Sequence, residues 1–344
     1  MKVAVLGAGA WGTALAKLLA EEESHSVSIW SRGSALCAAI NAARENVRYL
    51  PGVKLQDSVT CSTDLPAVLE GAEMVVFVLP SHATRDVARA AAPYVAPGVL
   101  LVNASKGIEN DTLMFIDEVL ADELPTHARH HLATLSGPSF ARELAGRLPT
   151  AVVVAARDPQ VGAQVIRHFH RSYLRIYASD DVVGVECGGA LKNVIAIGAG
   201  AVEGMGFGNN TRAALVTRGL AEMARLAMAR GGSALTLAGL AGLGDLVLTC
   251  TGELSRNRTV GYEMGRGRSL ASVLAGLGHV AEGVRTAKSA HGLAKKLGVD
   301  MPITAEVYSV LYEGKPVQHA VRDLMARELG YEFDPRAIAR ATSK

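Results

Sequence analysis

The first segment whose residue types can do chemistry is 7–12, which reads G-A-G-A-W-G and has the complete G-x-G-x-x-G spacing. It follows an apolar run at 2–6 and opens an amphipathic stretch. In that context Gly7 suits a tight turn, Gly9 lets a pyrophosphate approach the backbone, and Gly12 permits close packing of helix on strand. The free N–H groups at the helix start attract the anion. The segment predicts a dinucleotide site, and a glycine-rich turn without a ligand is the alternative.

The choice between NAD and NADP depends on the end of the second apolar run, where Ser31 and Arg32 follow Trp30. A site that prefers NAD places Asp or Glu near this position to hold the ribose 2′-hydroxyl. Arg32 instead accommodates a 2′-phosphate, although an exposed surface arginine fits the same sequence. The sequence therefore predicts NAD or NADP as cofactor and does not decide between them.

Two isolated charges in the second half of the chain point to acid–base chemistry. Lys192 is the only charged residue in 187–201, and loss of hydration would lower the pKa of its ammonium group into a useful range. Asp245 is the only charged residue in 233–252, so its buried carboxylate would need a cationic or N–H partner. The alternatives are a solvated surface lysine and a helix N-cap at Asp245, and the spacing alone does not decide.

A third candidate site is the run S-R-N-R at 255–258. Ser255 has the character of an N-cap, which would put Arg256 and Arg258 in the first turn of a helix. Cations at that end oppose the helix dipole unless an anion lies nearby. The charged and amide donors of Arg256 and Asn257 suit a phosphate group, and a solvated basic patch is the alternative.

Composition excludes several classes of protein. The 344 residues suffice for about two domains of roughly 100–200 residues each. Lys+Arg 35 against Asp+Glu 33 leaves a net charge of +2, far from a dedicated nucleic-acid binder. Hydrophobic residues at 49% exclude a disordered chain. Four scattered cysteines without a C-x-x-C pair predict neither a disulfide scaffold nor a structural zinc site.

The sequence also predicts the compartment of the protein. Its start shows neither a basic segment nor an apolar segment of a secretory signal. Lys192 interrupts the best candidate for a membrane span, 182–202, so we expect no span of about 18 apolar residues. We therefore expect a cytoplasmic protein with a small-molecule substrate, no nucleic-acid partner and no metal.

The elements that must position these residues fall into two halves. Short apolar runs without polar alternation predict strands of a parallel sheet that is covered on both faces, at 3–6, 27–30, 74–78, 99–102, 151–154 and 174–177. Amphipathic stretches at 13–22 and 84–94 give β-α-β alternation. After S-D-D at 179–181, an N-cap signal, the pattern becomes helical. We therefore predict an α/β Rossmann-type dinucleotide-binding domain at 1–179 and an all-α substrate-binding and catalytic domain at 180–344.

The chain resembles bacterial-type NAD(P)-dependent glycerol-3-phosphate dehydrogenases from residue 1 to about residue 328. Many specific segments occur in the same order. They are GAGAWGTALA at 7–16, RYLPG at 48–52, SKGIE at 105–109, SGPSFA at 136–141, GGALKNVIAI at 188–197, GNNTRAAL at 208–215, GLGDLVLTCT at 242–251, LSRNR at 254–258 and EGVRT at 282–286.

The resemblance implies NAD(P)H-dependent, reversible reduction of dihydroxyacetone phosphate to sn-glycerol 3-phosphate, which supplies the glycerophospholipid backbone. It implies that Lys192 is the general acid or base, and that Lys106 contacts substrate and cofactor while Asp245 pairs with the lysines. The implied substrate-binding residues are Lys106, Gly137, Ser139, Lys192, Asp245, Ser255, Arg256 and Asn257. The implied cofactor-binding residues are Gly7, Gly9, Ala10, Trp11, Gly12, Arg32, Tyr49, Lys106, Ala141, Arg256, Val280 and Glu282. A homodimer is the expected assembly.

Three rival interpretations remain at this stage. Another two-domain reductase, of the ketopantoate, imine or 6-phosphogluconate type, would share the front half and a helical back half. It would lack the phosphate site at 255–257 coupled to Asp245. A nucleotide-sensing regulator would bind the cofactor but tolerate loss of Lys192, and a scaffolding protein would bind neither cofactor nor substrate.

Overall fold

The computed structural model describes residues 1–125, 129–277, 281–328 and 332. The N-terminal part contains one eight-stranded sheet with the order β3-β2-β1-β4-β5-β6-β7-β8. Its strands are β1 Lys2–Leu6, β2 Ser26–Trp30, β3 Val59–Ser62, β4 Met74–Phe77, β5 Leu100–Asn103, β6 Leu132–Ser136, β7 Thr150–Ala156 and β8 Leu174–Ser179. The predicted Rossmann-type sheet is confirmed, with the reversal of strand order between β1 and β4.

Two strands, β3 and β6, were not predicted from the sequence. In β3 every second residue is buried and it pairs only with β2 at the sheet edge, so the strand lacks a continuous apolar run. All of β6 is buried, but Thr134 and Ser136 interrupt its apolar pattern. The expectation of a wholly parallel sheet was wrong at one place, because β6 and β7 pair antiparallel.

Helices cover both faces of the sheet, which explains the apolar strands. Side chains alternate along β1, so Val3 and Val5 join one core while Ala4 and Leu6 join the core on the opposite face. The helices and short turns of this part are α1 Ala10–Leu19, α2 Ser34–Ala43, α3 Leu65–Leu69, α4 Ser81–Ala91 followed by a 3₁₀ turn Ala92–Tyr94, α5 Ile116–Glu123, α6 Ala141–Ala145 and α7 Pro159–Phe169.

The C-terminal part is helical, as predicted. It consists of α8 Val182–Gly204, α9 Asn209–Ala229, α10 Ala234–Leu237, a π-helical turn Leu240–Gly244, α11 Asp245–Thr251, α12 Arg256–Gly265, α13 Leu270–Leu277, α14 Glu282–Leu297, α15 Pro302–Tyr312 and α16 Val317–Met325. Helix α8 lies at the centre of this part and contributes a large share of its apolar core. The chain passes from sheet to helices between Ser179 and Val182, and a domain division at 179/180 stays a prediction.

Helix α8 corrects the sequence argument about membrane spans. It is long and apolar enough to cross a membrane by length and composition, with a mean hydropathy of 1.4 over its most apolar window, in spite of Lys192. Within the structure 94% of that window is buried inside the protein. The helix therefore has the burial expected of a central core helix.

The cysteines include one pair that the sequence did not indicate. Cys37 in α2 and Cys61 in β3 are joined as a disulfide, with Cα atoms 4.9 Å apart, whereas Cys187 and Cys250 are free and buried. Sequence spacing gave no signal of this pair, because the two residues meet only when α2 folds back over the sheet.

Asp181 caps α8, as the S-D-D signal predicted, and it also joins a second segment. One carboxylate oxygen accepts from Gly184 N at 2.8 Å and the other from Ser233 N at 2.9 Å. We expect Asp181→Ala to lower the free energy of unfolding by about 1–2 kcal/mol, because two N–H groups lose their acceptor. Urea denaturation followed by circular dichroism measures this change.

Asp158→Ala is the matched control, because Asp158 caps α7 through a bond to Gln160 N alone. Its loss should be smaller than that of Asp181→Ala. Equal losses for the two variants would show that the Ser233 bond adds no stability.

Candidate active site

The turn between β1 and α1 has the geometry that the glycine spacing predicted. Gly7 has φ +127°, and a Cβ there would lie 2.2 Å from the carbonyl oxygen of Val78. A Cβ on Gly12 would lie 2.0 Å from the oxygen of Gly7, so α1 can pack this closely only with glycine. Around Gly9, by contrast, an added Cβ would meet no heavy atom of the described chain within 4 Å. The space at the start of α1 is open and fits a pyrophosphate.

This open turn presents backbone donors. Gly9 is the N-cap of α1, and no side chain among the described residues caps the helix. Ala10 is the first helical residue, so its methyl group leaves the backbone N–H groups of the first turn available to an anion.

A second segment, 46–50, is held against the glycine turn. Asn46 donates to the carbonyl oxygen of Ala8 and to the hydroxyl of Thr13, both at 2.8 Å. This brings Tyr49, one of the implied cofactor residues, next to the turn. Trp11 packs with Leu50 and Ala141 in a small apolar cluster, so three implied cofactor residues lie around one turn. Asn46 was not predicted as a site residue, because nothing near a loop asparagine in the sequence indicates acceptors that lie far along the chain.

Glu282 links the helical part to the sheet. It is the first residue of α14, and its Oε2 accepts from the hydroxyl of Ser81 at 2.7 Å and from Ser81 N at 3.3 Å, at the start of α4. Its Oε1 is buried without a hydrogen-bond partner in the described part of the chain. Arg32 lies in the exposed loop after β2. Val280, also implied at the cofactor, lies outside the described residues.

Three charged groups from separate parts of the chain meet at one point. Lys106 Nζ, in the loop after β5, donates to Asp245 Oδ2 at 2.6 Å, and Lys192 Nζ donates to Asp245 Oδ1. Asp245 is 1% exposed and is the first residue of α11, where its carboxylate binds the two lysines instead of capping the helix. The interpretation of Lys192 as a solvated surface residue was wrong, since it is buried.

Burial sets the protonation behaviour of this centre. Desolvation lowers the pKa of Lys192 to about 8, assisted by the charge of Lys106 and opposed by Asp245. The amine can therefore gain or lose a proton near neutral pH. Thr249 donates its hydroxyl to the Asp245 carbonyl oxygen at 2.6 Å, which fixes the first turn of α11.

The loop after β6 lies beside the same centre. Lys106 Nζ is 3.4 Å from the carbonyl oxygen of Gly137, which also accepts from the hydroxyl of Ser139 at 3.0 Å. Gly137 and Ser139, both implied at the substrate, are thus brought to Lys106.

The start of α12 supplies the third set of residues. Ser255 is its N-cap, as predicted, and accepts from Arg258 N at 3.2 Å. Asn257 donates to Asn193 Oδ1 at 2.8 Å, and Asn193 directly follows Lys192. This contact brings the helix start to the lysine centre. Sequence analysis missed Asn193, whose amide pairs with a residue far along the chain.

The two arginines of this helix start differ in their surroundings. Arg258 donates from Nε to Glu203 Oε2 at 3.0 Å and forms a second bond to the same carboxylate. Arg256 is exposed and makes no hydrogen bond or salt bridge with the residues that the structure describes. Its guanidinium is therefore free to bind an anion. Within the described ranges no group of three or more His, Cys, Asp or Glu side chains is arranged to hold a metal ion.

Comparison with known proteins finds the same family along both halves of the chain. Models of the NAD-dependent glycerol-3-phosphate dehydrogenase N-terminus and C-terminus match residues 2–162 and 181–322. A protein from Geobacter metallireducens named glycerol-3-phosphate dehydrogenase (NAD(P)+) is 54% identical over 327 residues, covering 95% of this chain and 97% of the relative. One of the same name from Geobacter sp. is 51% identical over 331 residues, covering 96% and 98%. A crystal structure of glycerol-3-phosphate dehydrogenase from Coxiella burnetii has a TM-score of 0.91 at 39% identity, covering 95% and 99%.

Proposed function

The chain belongs to the NAD-dependent glycerol-3-phosphate dehydrogenase family, and on that premise we propose that Lys106, Lys192 and Asp245 carry out its acid–base chemistry. The enzyme reduces dihydroxyacetone phosphate reversibly to sn-glycerol 3-phosphate with NADH or NADPH, the step that supplies the glycerophospholipid backbone. The observation that carries the proposal is the convergence of two ammonium groups on one buried carboxylate.

Lys192 acts as the proton donor during reduction. Hydride is supplied to the carbonyl carbon by the reduced nicotinamide when the cofactor is bound. Negative charge then grows on the carbonyl oxygen, and the Lys192 ammonium stabilises and protonates it. In the oxidation of glycerol 3-phosphate the neutral amine of Lys192 removes the hydroxyl proton. Lys106 polarises the carbonyl from the sheet side, while Asp245 orients both lysines.

The remaining residues bind the two ligands. The cofactor is held by Gly7, Gly9, Ala10, Trp11, Gly12, Arg32, Tyr49, Lys106, Ala141, Arg256, Val280 and Glu282. The open turn at Gly9 and the uncapped start of α1 support this assignment. The substrate is held by Lys106, Gly137, Ser139, Lys192, Asp245, Ser255, Arg256 and Asn257. Arg256 and Asn257 bind the phosphate of the substrate. The binding energy of this phosphate holds the substrate in place and so orients its reacting carbon.

The proposal also includes the assembly, the compartment and the domain division of the enzyme. It works as a homodimer, the commonest closed assembly of soluble chains, and in the cytoplasm, where the reaction has access to the intracellular pool of nicotinamide cofactors. Residues 1–179 form the NAD(P)-binding domain and residues 180–344 form the helical substrate-binding and catalytic domain, and each domain also contributes residues to the ligand of the other.

The proton donor is tested by Lys192→Met, which keeps an apolar stem of similar length. We expect kcat for reduction of dihydroxyacetone phosphate to fall by about 10²-fold or more, because a positioned acid is lost. The fold and the binding of NADPH, measured by circular dichroism and by fluorescence titration, should be retained. Turnover close to that of the parent enzyme would show that Lys192 is not the proton donor.

The pH dependence of the rates of the parent enzyme tests the role of Lys192 independently, because the two directions of the reaction need opposite protonation states of this residue. Because the pKa of Lys192 in the ligand-free protein is lowered to about 8, kcat/KM for dihydroxyacetone phosphate should fall as pH rises through about 8, where the ammonium is lost. The kcat/KM for glycerol 3-phosphate should rise over the same interval, because oxidation needs the neutral amine. The residual activity of Lys192→Met should lack both steps, and a step retained at the same pH would assign it to another group.

The phosphate site is tested by Arg256→Ala. We expect kcat/KM for dihydroxyacetone phosphate to fall by about 10²-fold or more, since a charged hydrogen-bond pair is removed. The feeble rate with dihydroxyacetone should change much less, because that substrate has no phosphate. Arg258→Ala is the matched control: Arg258 is bound to Glu203, so its loss should affect stability and treat both substrates alike. If Arg256→Ala lowers kcat/KM equally for both substrates, Arg256 does not bind the phosphate, and the phosphate site lies elsewhere.

Cofactor choice is tested by Arg32→Asp. If Arg32 binds the 2′-phosphate, the ratio of kcat/KM for NADPH to that for NADH should fall by about ten- to a hundredfold, from a lost contact of about 1.5–3 kcal/mol. Arg175→Asp, a change of equal charge at an exposed residue of β8, should leave the ratio as it is. A ratio unchanged in Arg32→Asp would show that Arg32 points to solvent.

A further inference from the structure

Glu186 is a buried carboxyl group that the mechanism above does not use. It lies on α8, is 3% exposed, and its Oε1 accepts from Asn103 Nδ2 at 2.5 Å and from the hydroxyl of Thr134 at 2.9 Å. Asn103, the last residue of β5, is paired with Thr134 in the middle of β6. Among the described side chains of 182–204, only that of Glu186 hydrogen-bonds to a strand of the sheet.

The bond to Asn103 continues to the loop that carries Lys106. Asn103 Oδ1 accepts from Ser105 N at 3.0 Å. The hydroxyl of Ser105 accepts from Leu79 N at 2.8 Å and donates to Phe77 O at 3.3 Å. These bonds fix the backbone at Ser105, so the carboxyl of Glu186 is connected through buried hydrogen bonds to the residue that precedes Lys106.

The same helix carries the second lysine. Lys192 follows Glu186 on α8, and the helix passes close to the Lys106 side chain. A Cβ added to Gly189 would lie 3.5 Å from Lys106 Cγ and 2.9 Å from the hydroxyl of Ser136. A small shift of α8 against the sheet would therefore change the distance between the two ammonium groups that share Asp245.

Resting on the acid–base roles proposed above, we propose that Glu186 is a positioning residue: by binding Asn103 and Thr134 it fixes α8 on the sheet and so sets the separation of Lys106 and Lys192 across Asp245. Glu186 itself touches neither substrate nor cofactor. It acts through the placement of the two lysines.

The charge state of Glu186 fits this role and guides the choice of variants. Burial, with the nearby carboxylate of Asp117, raises the pKa of Glu186 well above its usual range. Asp117 is in turn paired with Arg157 at 2.8 Å. Burial therefore makes the charged form of Glu186 more costly than usual, and glutamine has the shape of the acid and keeps an acceptor oxygen for Asn103 and Thr134. Methionine has similar bulk and removes the acceptor.

The test compares Glu186→Met, Glu186→Gln and a matched control at Glu222. Glu222 is equally buried, on α9, and caps α15 by accepting from Ile303 N at 2.6 Å and Thr304 N at 3.0 Å, away from the lysine centre. For each variant we would measure kcat, KM for both ligands, the pH dependence of kcat/KM and the melting temperature. Assays are run well below the lowest melting temperature.

We expect Glu186→Met to lower kcat by about 10–10²-fold with KM for NADPH little changed, because small misplacement of reacting groups costs rate steeply. Its kcat/KM step near pH 8 should shift, because the pKa of Lys192 in the ligand-free protein depends on its distance from Lys106 and Asp245. Glu186→Gln should stay within about threefold of the parent kcat. Glu222→Met should lose melting temperature but keep the parent kcat and pH step.

Parent-like kcat and pH step in Glu186→Met would overturn the proposal, as would an equal loss of kcat in Glu222→Met. If Glu186→Met does not fold, Glu186→Asp replaces it, because the shorter side chain withdraws the acceptor by one methylene. A parent-like kcat in Glu186→Asp would then overturn the proposal.

The failure of the lysine assignment is distinguishable from the failure of this inference. If Lys192→Met turns over like the parent enzyme, the acid–base role of Lys192 is wrong, independently of the results for the Glu186 variants. An inactive Lys192→Met together with a fully active Glu186→Met removes only the positioning role. If both roles hold, Glu186→Met should cost much less in the Lys192→Met background than in the parent enzyme.

Discussion

The buried carboxylate of Asp245 is the constraint on which the rest of the structure depends. A carboxylate taken out of water is strongly destabilising unless cations and donors compensate for its lost hydration, and here the compensation comes from Lys106 and Lys192. One lysine follows a strand of the sheet and the other lies within α8. The ion triad therefore forms only when sheet and helices are both folded and in contact.

The residues that the sheet contributes to the site all lie at one edge of the sheet. Strands β1, β4, β5 and β6 are parallel to one another, so the glycine turn, Ser81, Lys106 and Gly137 all follow carboxyl ends of strands and meet there. The reversal of strand order beside β1 opens the crevice in which the cofactor is expected to lie. The antiparallel pairing of β7 lies beyond this edge group and leaves the arrangement intact.

The apolar character of α8 explains why one amine behaves unlike an ordinary lysine. The composition that lets this helix pass as a membrane span also keeps water from Lys192, which lowers the pKa of its side chain. Asp245 opposes that shift, because its carboxylate favours the charged ammonium. The start of α12 provides the complementary feature, because Arg258 is already paired with Glu203 while Arg256 remains available for the substrate phosphate.

Local signals in the sequence determined six of the eight strands, the turn at Gly7, the N-caps Asp181 and Ser255, and the isolation of Lys192 and Asp245. Each depends on neighbours within a few residues, through backbone sterics, helix-end hydrogen bonding or apolar periodicity. Only the tertiary structure decided that Lys106 and Lys192 share Asp245, that Asn46 holds the cofactor turn, that Asn193 meets Asn257 and that Cys37 meets Cys61. The same is true of β3 and β6, whose pairing is fixed by the strands beside them. Ion pairs and side-chain hydrogen bonds between distant residues have no periodicity along the chain, and they exist only once packing has brought their atoms within about 3 Å of each other.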